Sequence, residues 1–86
     1  MLASLCYVPE KKAVTYYKDE DALTKVGLKI REARLSKQIS IERLANDCEV
    51  DTSQIGRMEL GKVNFSISYL FRIAKALQID PKELLP

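Results

Sequence analysis

Residues 40–62 read SIERLANDCEVDTSQIGRMELGK, and this stretch decides the fold of the chain. Ser40 is a favourable N-cap residue, because a serine hydroxyl can accept a hydrogen bond from a backbone N–H of the first helical turn. The residues after it place apolar side chains on one side of a helix, at Leu44, Ala45 and Cys48. Residues 47–49 then form a turn region, so the first half of the stretch is a short helix followed by a turn.

The second half of the stretch predicts another short helix. Asp51 is followed three residues later by Gln54, which resembles a capping box: the aspartate accepts from early backbone N–H groups and the glutamine reaches back. Ile55 and Met58 then face inward. Gly61 ends the helix by supplying the left-handed conformation that a helix end often takes. We therefore expect two short helices joined by a tight turn.

The flanking sequence predicts three more helices. A first helix from about Leu23 to about Lys37 carries a one-sided apolar set: Leu23, Val26, Ile30 and Ala33. A fourth helix, capped by Ser66, carries a longer one: Ile67, Leu70, Ile73, Ala74 and Leu77. A short fifth helix is marked by an N-cap, a first-position proline and an acidic third residue: Asp80, Pro81 and Glu83. Since nothing in residues 22–86 alternates at period two for long, the expectation is an all-α domain of five short helices.

The first 21 residues form a separate N-terminal extension. Ala13 to Tyr17 is rich in β-branched and aromatic residues and predicts a single strand, which needs a partner to be stable. The extension also contains Tyr7 and Tyr16. These tyrosines leave two uses open, binding to a partner protein or pairing two copies of the chain in a small intermolecular sheet.

Composition excludes several classes of protein. A chain of 86 residues has room for one domain but not for a core together with a deep catalytic cleft. It contains no histidine, and its sequence shows no metal-ligand cluster, no phosphate-binding glycine loop and no nucleophile beside an evident base. We therefore expect no enzyme activity, no metal and no cofactor. The net charge of +2, from 14 basic and 12 acidic residues, permits a nucleic-acid partner without requiring one.

Cysteine use and hydropathy predict a cytoplasmic protein. Cys6 and Cys48 belong to neither a CxxC pair nor a disulfide framework, which fits a reducing compartment. The apolar segment Leu2 to Val8 is too short for a membrane span, which needs roughly 20 apolar residues, and no positive residue precedes it. We expect no membrane association.

The paired helices of residues 40–62 suggest a function. Two helices packed across a tight turn can hold the second one in the major groove of DNA, where the base edges are distinguishable. Tandem short helices also occur in plain helical bundles, so the spacing alone leaves that alternative open.

Further residues favour the DNA-binding hypothesis. They are Leu44-Ala45, Val50, Ser53, Ile55, Arg57, Glu59-x-Gly61-Lys62 and the run Leu70-Phe71-x-Ile73-Ala74-Lys75-Ala76-Leu77. In this register the chain resembles the lambda-repressor-like (Xre-type) helix-turn-helix family over about residues 26–85. The resemblance implies a five-helix domain that binds operator DNA as a homodimer, with the third helix as the recognition helix.

The same resemblance implies roles for particular residues. The base-reading positions of the family fall on Thr52, Ser53, Gly56 and Arg57. Arg57 is the strongest candidate, because a guanidinium can donate two hydrogen bonds to guanine. Contacts with DNA phosphates are expected from Ser40, Lys62, Asn64 and Ser66. Arg34 and Glu59 match an arginine and a glutamate that form a partly buried ion pair in the family, so a structural role is expected for both.

Some positions depart from the family pattern. Ile41 stands where a phosphate-binding glutamine is usual, which puts that contact in doubt. Residues other than glycine occupy three helix ends that favour glycine: Gln38, Glu49 and Gln78. Leu60 and Phe65 are apolar where exposed polar residues or proline are common, and belong either to a dimer contact or to the packing of their own loop.

Two functions follow as hypotheses. The first is a transcriptional regulator, a repressor that binds a pseudo-palindromic operator as a homodimer. The alternative is an antitoxin that neutralises a partner protein through its N-terminal extension and represses its own operon through the same domain.

Overall fold

The computed structural model describes residues 17–86, which form four α-helices and a closing 3₁₀ turn. The elements are α1 (Glu20–Ser36), α2 (Ile41–Cys48), α3 (Thr52–Glu59), α4 (Ile67–Leu77) and the 3₁₀ turn (Pro81–Leu84). No strand occurs within this part of the chain, so the all-α class is confirmed there. The strand expected over Ala13 to Tyr17 lies outside the described residues except for Tyr17, which belongs to no regular element.

Three helix predictions need correction. The second helix continues to Cys48, through part of the turn region expected at residues 47–49, and only Glu49 leaves the helix there. The first helix begins at Glu20 rather than near Leu23, because the Asp19 carboxylate accepts from the backbone N–H of Ala22 at 3.0 Å and caps it. Two of the three added residues, Glu20 and Asp21, are acidic, so apolar periodicity gave no sign of the first turn. The fifth helix is a 3₁₀ turn, since its backbone bonds join residues three apart, as from the Glu83 N–H to the Asp80 carbonyl.

One core joins all the elements. It contains the inward residues of every helix and ends at the 3₁₀ turn: Val26, Ile30, Leu44, Ala45, Cys48, Ile55, Met58, Leu70, Ile73, Ala74, Leu77 and Leu84. Ile67, expected on the apolar face of the fourth helix, is instead 67% exposed. It is the first residue of α4, one turn before Leu70, where the core begins on that helix.

Left-handed residues end three of the helices without glycine. Gln38, Glu49 and Gln78 have φ angles of 59°, 60° and 61°, as the departures from the family pattern predicted. Gly61, with φ of 74°, follows the end of α3. Its N–H donates to the Met58 carbonyl while the next N–H, of Lys62, donates to the Arg57 carbonyl at 2.9 Å. This pair of bonds is a Schellman motif, so the stop predicted at Gly61 is confirmed.

Two glycines set the contact between α1 and the end of α3. A Cβ on Gly27 would collide with the carbonyl oxygen of Met58 and lie 2.6 Å from that of Glu59. A Cβ on Gly61 would lie 2.7 Å from the Cα of Thr24. The backbones of α1 and α3 therefore meet at a distance that only glycine permits.

No helix in the described range is both long and apolar enough to cross a membrane.

Candidate nucleic-acid interface

The outer face of α3 presents the four predicted base-reading residues as one stripe. Thr52, Ser53 and Arg57 are exposed and Gly56 is half-buried, at positions one turn apart on the helix. Ile55, Met58 and Glu59 occupy the inner face. Leu60, next in the stripe, is 59% exposed and so does not pack within its own loop. Packing therefore leaves a continuous surface along α3 available to a ligand.

Gln54 supports Arg57 rather than capping α3. The capping-box prediction is wrong in its side-chain bonds, because the Asp51 carboxylate makes no capping hydrogen bond. The backbone N–H of Gln54 already donates to the Asp51 carbonyl at 2.9 Å. The Gln54 side-chain oxygen instead accepts from the Arg57 guanidinium at 3.2 Å. A charged donor strengthens such a bond, so Gln54 helps to orient the arginine on the exposed face.

The predicted ion pair joins α1 to the end of α3. Arg34 donates from Nε to Oε2 of Glu59 at 2.7 Å and from Nη2 to Oε1 at 3.2 Å, a two-bond arrangement. A third donor of the same guanidinium, Nη1, reaches the carbonyl of Ile39 at 3.0 Å. The side chains of Arg34 and Glu59 are only 11% and 5% exposed. The hydrogen bonds to Glu59 raise the pKa of Arg34 above its ordinary value, although burial acts in the opposite direction.

Arg34 thereby holds both ends of the two-helix unit. Ile39 directly precedes Ser40, the N-cap of α2, whereas Glu59 is the last residue of α3. One buried guanidinium consequently fixes the start of α2 relative to the end of α3. The exposed stripe on α3 is rigid with respect to the N-terminus of α2 because of this contact.

Arg72 is a supporting residue that sequence reasoning missed. Its Nη1 donates to the carbonyl of Cys48, the last residue of α2, at 2.9 Å. A cation at this position satisfies a helix-terminal carbonyl and interacts well with the helix dipole. The bond ties α4 to the turn between α2 and α3 beside the left-handed Glu49. The two residues are 24 positions apart, so no local pattern indicates the contact.

The residues expected to bind phosphate are all exposed, but they differ in how they are used. The hydroxyls of Ser40 and Ser66 accept from the backbone N–H groups of Arg43 and Tyr69, at 3.0 and 3.4 Å, as N-caps do. Each hydroxyl keeps its own O–H to donate. Asn64 caps no helix, because its Nδ2 donates to the Tyr17 carbonyl at 2.8 Å. The side chain of Lys62 is exposed.

Cys48 is a core residue, as predicted. It is fully buried, and burial raises the pKa of its thiol above the ordinary value. The reactive thiolate is accordingly disfavoured. Within residues 17–86 no group of three or more histidine, cysteine, aspartate or glutamate side chains is placed to hold a metal ion.

Comparisons with known proteins agree with this geometry. A model of the helix-turn-helix family matches residues 30–84. Control protein C.BamHI of Bacillus amyloliquefaciens is 42% identical over 60 residues, which cover 69% of this chain and 74% of that protein. The chain belongs to the lambda-repressor-like helix-turn-helix family. The resemblance seen in the sequence is thus confirmed.

Solved structures support the same assignment. The restriction-modification controller protein C.AhdI of Aeromonas hydrophila superposes with a TM-score of 0.71 at 40% identity, covering 73% of this chain and 96% of that one. A hypothetical transcription factor from Neisseria, NHTF, gives a TM-score of 0.71 at 28% identity, with 85% of each chain covered. The family consists of DNA-binding transcription regulators rather than enzymes. These relatives do not favour the antitoxin alternative and lend no support to a protein partner.

Within this helix-turn-helix unit, Gly56 lies where α2 and α3 meet. A Cβ at this position would lie 3.7 Å from Cδ1 of Ile41, an ordinary contact. Ile41 fills the place where the family usually has a phosphate-binding glutamine, and it packs against the core. The isoleucine therefore supports α3, so any contact with phosphate here falls to Ser40 and the backbone at the start of α2.

Gly56→Ala separates a role in DNA binding from a role in folding. Because the new methyl group fits and alanine favours helix over glycine, the free energy of unfolding should rise by about 0.5–1 kcal/mol. If the backbone at Gly56 approaches the base edges, affinity for a selected DNA site should fall about tenfold, ~1.4 kcal/mol. Urea denaturation and fluorescence anisotropy measure the two effects. A stabilised variant that binds as tightly as the wild type would show that the backbone does not approach DNA at this point.

Proposed function

We propose that this chain is a transcriptional repressor that binds a pseudo-palindromic operator as a homodimer, through the outer face of α3. The observation that carries the proposal is the exposed stripe of Thr52, Ser53, Gly56 and Arg57 on a helix that is locked from behind by the buried pair of Arg34 and Glu59. A recognition helix needs both properties, since base readout depends on side chains held at fixed positions in the groove.

Arg57 is the principal base-reading residue in this proposal, with guanine as its target. Its guanidinium is exposed and held by Gln54, so it loses less side-chain freedom on binding than an unsupported arginine. Thr52 and Ser53 lie at the start of α3, where short hydroxyl side chains reach a base or a phosphate. Ser40, Lys62 and Ser66 contact the backbone on either side and set the register of the helix.

The genes under control are those of a restriction-modification system. This part of the proposal is supported by the similarity to C.BamHI and C.AhdI, which are named as a control protein and a restriction-modification controller protein. The similarity covers most of both relatives and includes the whole two-helix unit.

The homodimer is supported by an exposed apolar surface on α4. Ile67 and Phe71 are 67% and 53% exposed and lie one helical turn apart, with Ser68 beside them in the same shallow groove. Of the two residues that the sequence offered for a dimer contact, Phe65 is half-buried against the core of its own chain, whereas Leu60 is 59% exposed. Packing of two α4 surfaces around a two-fold axis would bury these side chains and place two recognition helices on one face of the DNA.

Selection of bound sequences from a random duplex pool tests the whole proposal. We expect a palindromic consensus with half-sites about one helical turn apart. Size measurement of the complex should give two chains per selected duplex. A consensus without two-fold symmetry, bound by one chain, would contradict the homodimer. Placement of the consensus upstream of restriction or methyltransferase genes in the source genome would support the regulatory assignment.

Arg57→Ala and Lys62→Ala should weaken DNA binding in different ways. Loss of Arg57 should cost about 1–3 kcal/mol on the selected site and relax the base preference at one position in each half-site. Loss of Lys62 should weaken binding to all sequences alike and flatten the salt dependence. Titrations against the selected duplex and a random duplex distinguish the two. Equal losses on both duplexes for Arg57→Ala would mean that this arginine contacts only the backbone.

A further inference from the structure

The start of the described chain lies against the loop that follows α3. The Asn64 side chain holds the Tyr17 carbonyl at 2.8 Å, and the Lys18 ammonium donates to the carbonyl oxygen of Lys62 at 3.4 Å. Lys18, Lys62, Val63 and Asn64 line one shallow notch on the surface. The two hydrogen bonds join positions 47 and 44 residues apart. Two lysines that are distant in sequence thus share one edge of the domain, next to the end of the recognition helix.

The sequence around Lys18 does not indicate a basic surface, because acidic residues follow Lys18 directly. Two of their carboxylates are engaged within α1. Asp19 caps the helix, and Asp21 pairs with Lys25 at 3.1 Å. Glu20 is exposed. Lys18 makes no ion pair with any described residue.

We propose that Lys18 is a contact to the DNA backbone outside the helix-turn-helix, holding a phosphate together with Lys62, and that Asn64 is its positioning residue. The proposal rests on the DNA-binding function proposed above and adds a site to it. An ammonium group has three N–H donors, and the Lys62 carbonyl takes one of them. The others remain for phosphate oxygens. Because the notch borders the loop that leaves α3, it lies at the edge of the surface proposed to hold the duplex.

Asn64 changes its role in this arrangement. It was expected as a direct phosphate contact, but one of the two N–H donors of its Nδ2 is engaged with the carbonyl of Tyr17, the residue before Lys18. That bond fixes the backbone from which the lysine extends. A neutral amide displaces no counterion from DNA, whereas a lysine does. The salt dependence of binding therefore separates a direct contact by Asn64 from positioning of Lys18.

The test measures affinity against salt concentration with a selected duplex and a random-sequence duplex. On both duplexes, the logarithm of the binding constant falls as the logarithm of salt concentration rises. Lys18→Gln should make this negative slope shallower by about 0.9 for each bound chain. The ratio of the two affinities should stay the same. Lys29→Gln is the matched control, because Lys29 lies on α1 beside Ile79 and Glu83, in a different surface notch. Its slope should equal that of the wild type.

Asn64→Ala should also reduce the slope, and adding it to Lys18→Gln should reduce the slope no further. An unchanged slope for Asn64→Ala would overturn its positioning role. If Lys18→Gln keeps the wild-type slope, or alters the ratio of the two affinities, Lys18 is not a backbone contact. Failure of the wild type to bind any duplex would instead overturn the proposed DNA-binding function, and this site with it.

Discussion

Glu59→Ala should lower the free energy of unfolding by about 2–4 kcal/mol, far more than the loss of a surface charge. The substitution removes the two carboxylate oxygens that accept from the Arg34 guanidinium, whose side chain is only 11% exposed. The remaining acceptor, the Ile39 carbonyl, satisfies one donor and carries no full charge. The cost arises chiefly because a buried cation is left without its partner.

Urea denaturation with a matched control measures this effect. Asp21→Ala breaks the exposed ion pair with Lys25; the side chain of Asp21 is 79% exposed and that of Lys25 is 58% exposed. This control should change the free energy of unfolding by less than ~0.5 kcal/mol, because water screens such pairs. A change below half a kcal/mol for Glu59→Ala as well would contradict the structural role of the buried pair. Replacing Arg34 and Glu59 together by leucine and methionine should recover much of the loss, since no unpaired charge remains.

Gly27→Ala should destabilise the protein by about 3 kcal/mol, at the upper end of overpacking costs. The added Cβ meets the backbone oxygens of Met58 and Glu59, which cannot rotate away as a side chain can. Either α1 or the end of α3 must move. We also expect weaker DNA binding in the folded fraction, because displacement of Glu59 strains the ion pair with Arg34 that aligns α3.

Gly56→Ala is the matched control for Gly27→Ala, since both substitutions add one methyl group to a helical glycine. The methyl group at Gly56 meets only a side-chain carbon at 3.7 Å, so the two substitutions should change stability in opposite directions. Thermal and urea unfolding of both variants provide the measurement. Equal stabilisation by the two alanines would show that α1 and α3 can separate without cost at Gly27.

The exposed stripe on α3 was predictable because it depends on one helix. Once Ile55 and Met58 are assigned to the core, helical geometry leaves Thr52, Ser53 and Arg57 outside. The pairing of Arg34 with Glu59 was available only through the family resemblance. The two residues are 25 positions apart, and the sequence around either one does not indicate the other as its partner.

The sequence by itself determined where α2 begins and where α3 begins and ends. Caps such as Ser40, stops such as Gly61 and apolar spacing act within one helical turn, so a short window contains their physical cause. The sequence left the partner of Gln54 open, because a capping bond and a bond to Arg57, three residues further along the same helix, were both locally available.

Contacts between distant segments were also decided only by the tertiary structure. The approach of α1 to α3 at Gly27, the bond from Arg72 to α2 and the meeting of Lys18 with Lys62 join residues more than twenty positions apart. Such contacts depend on how the helices pack around the shared core. The residues next to each contact in the sequence do not determine that packing.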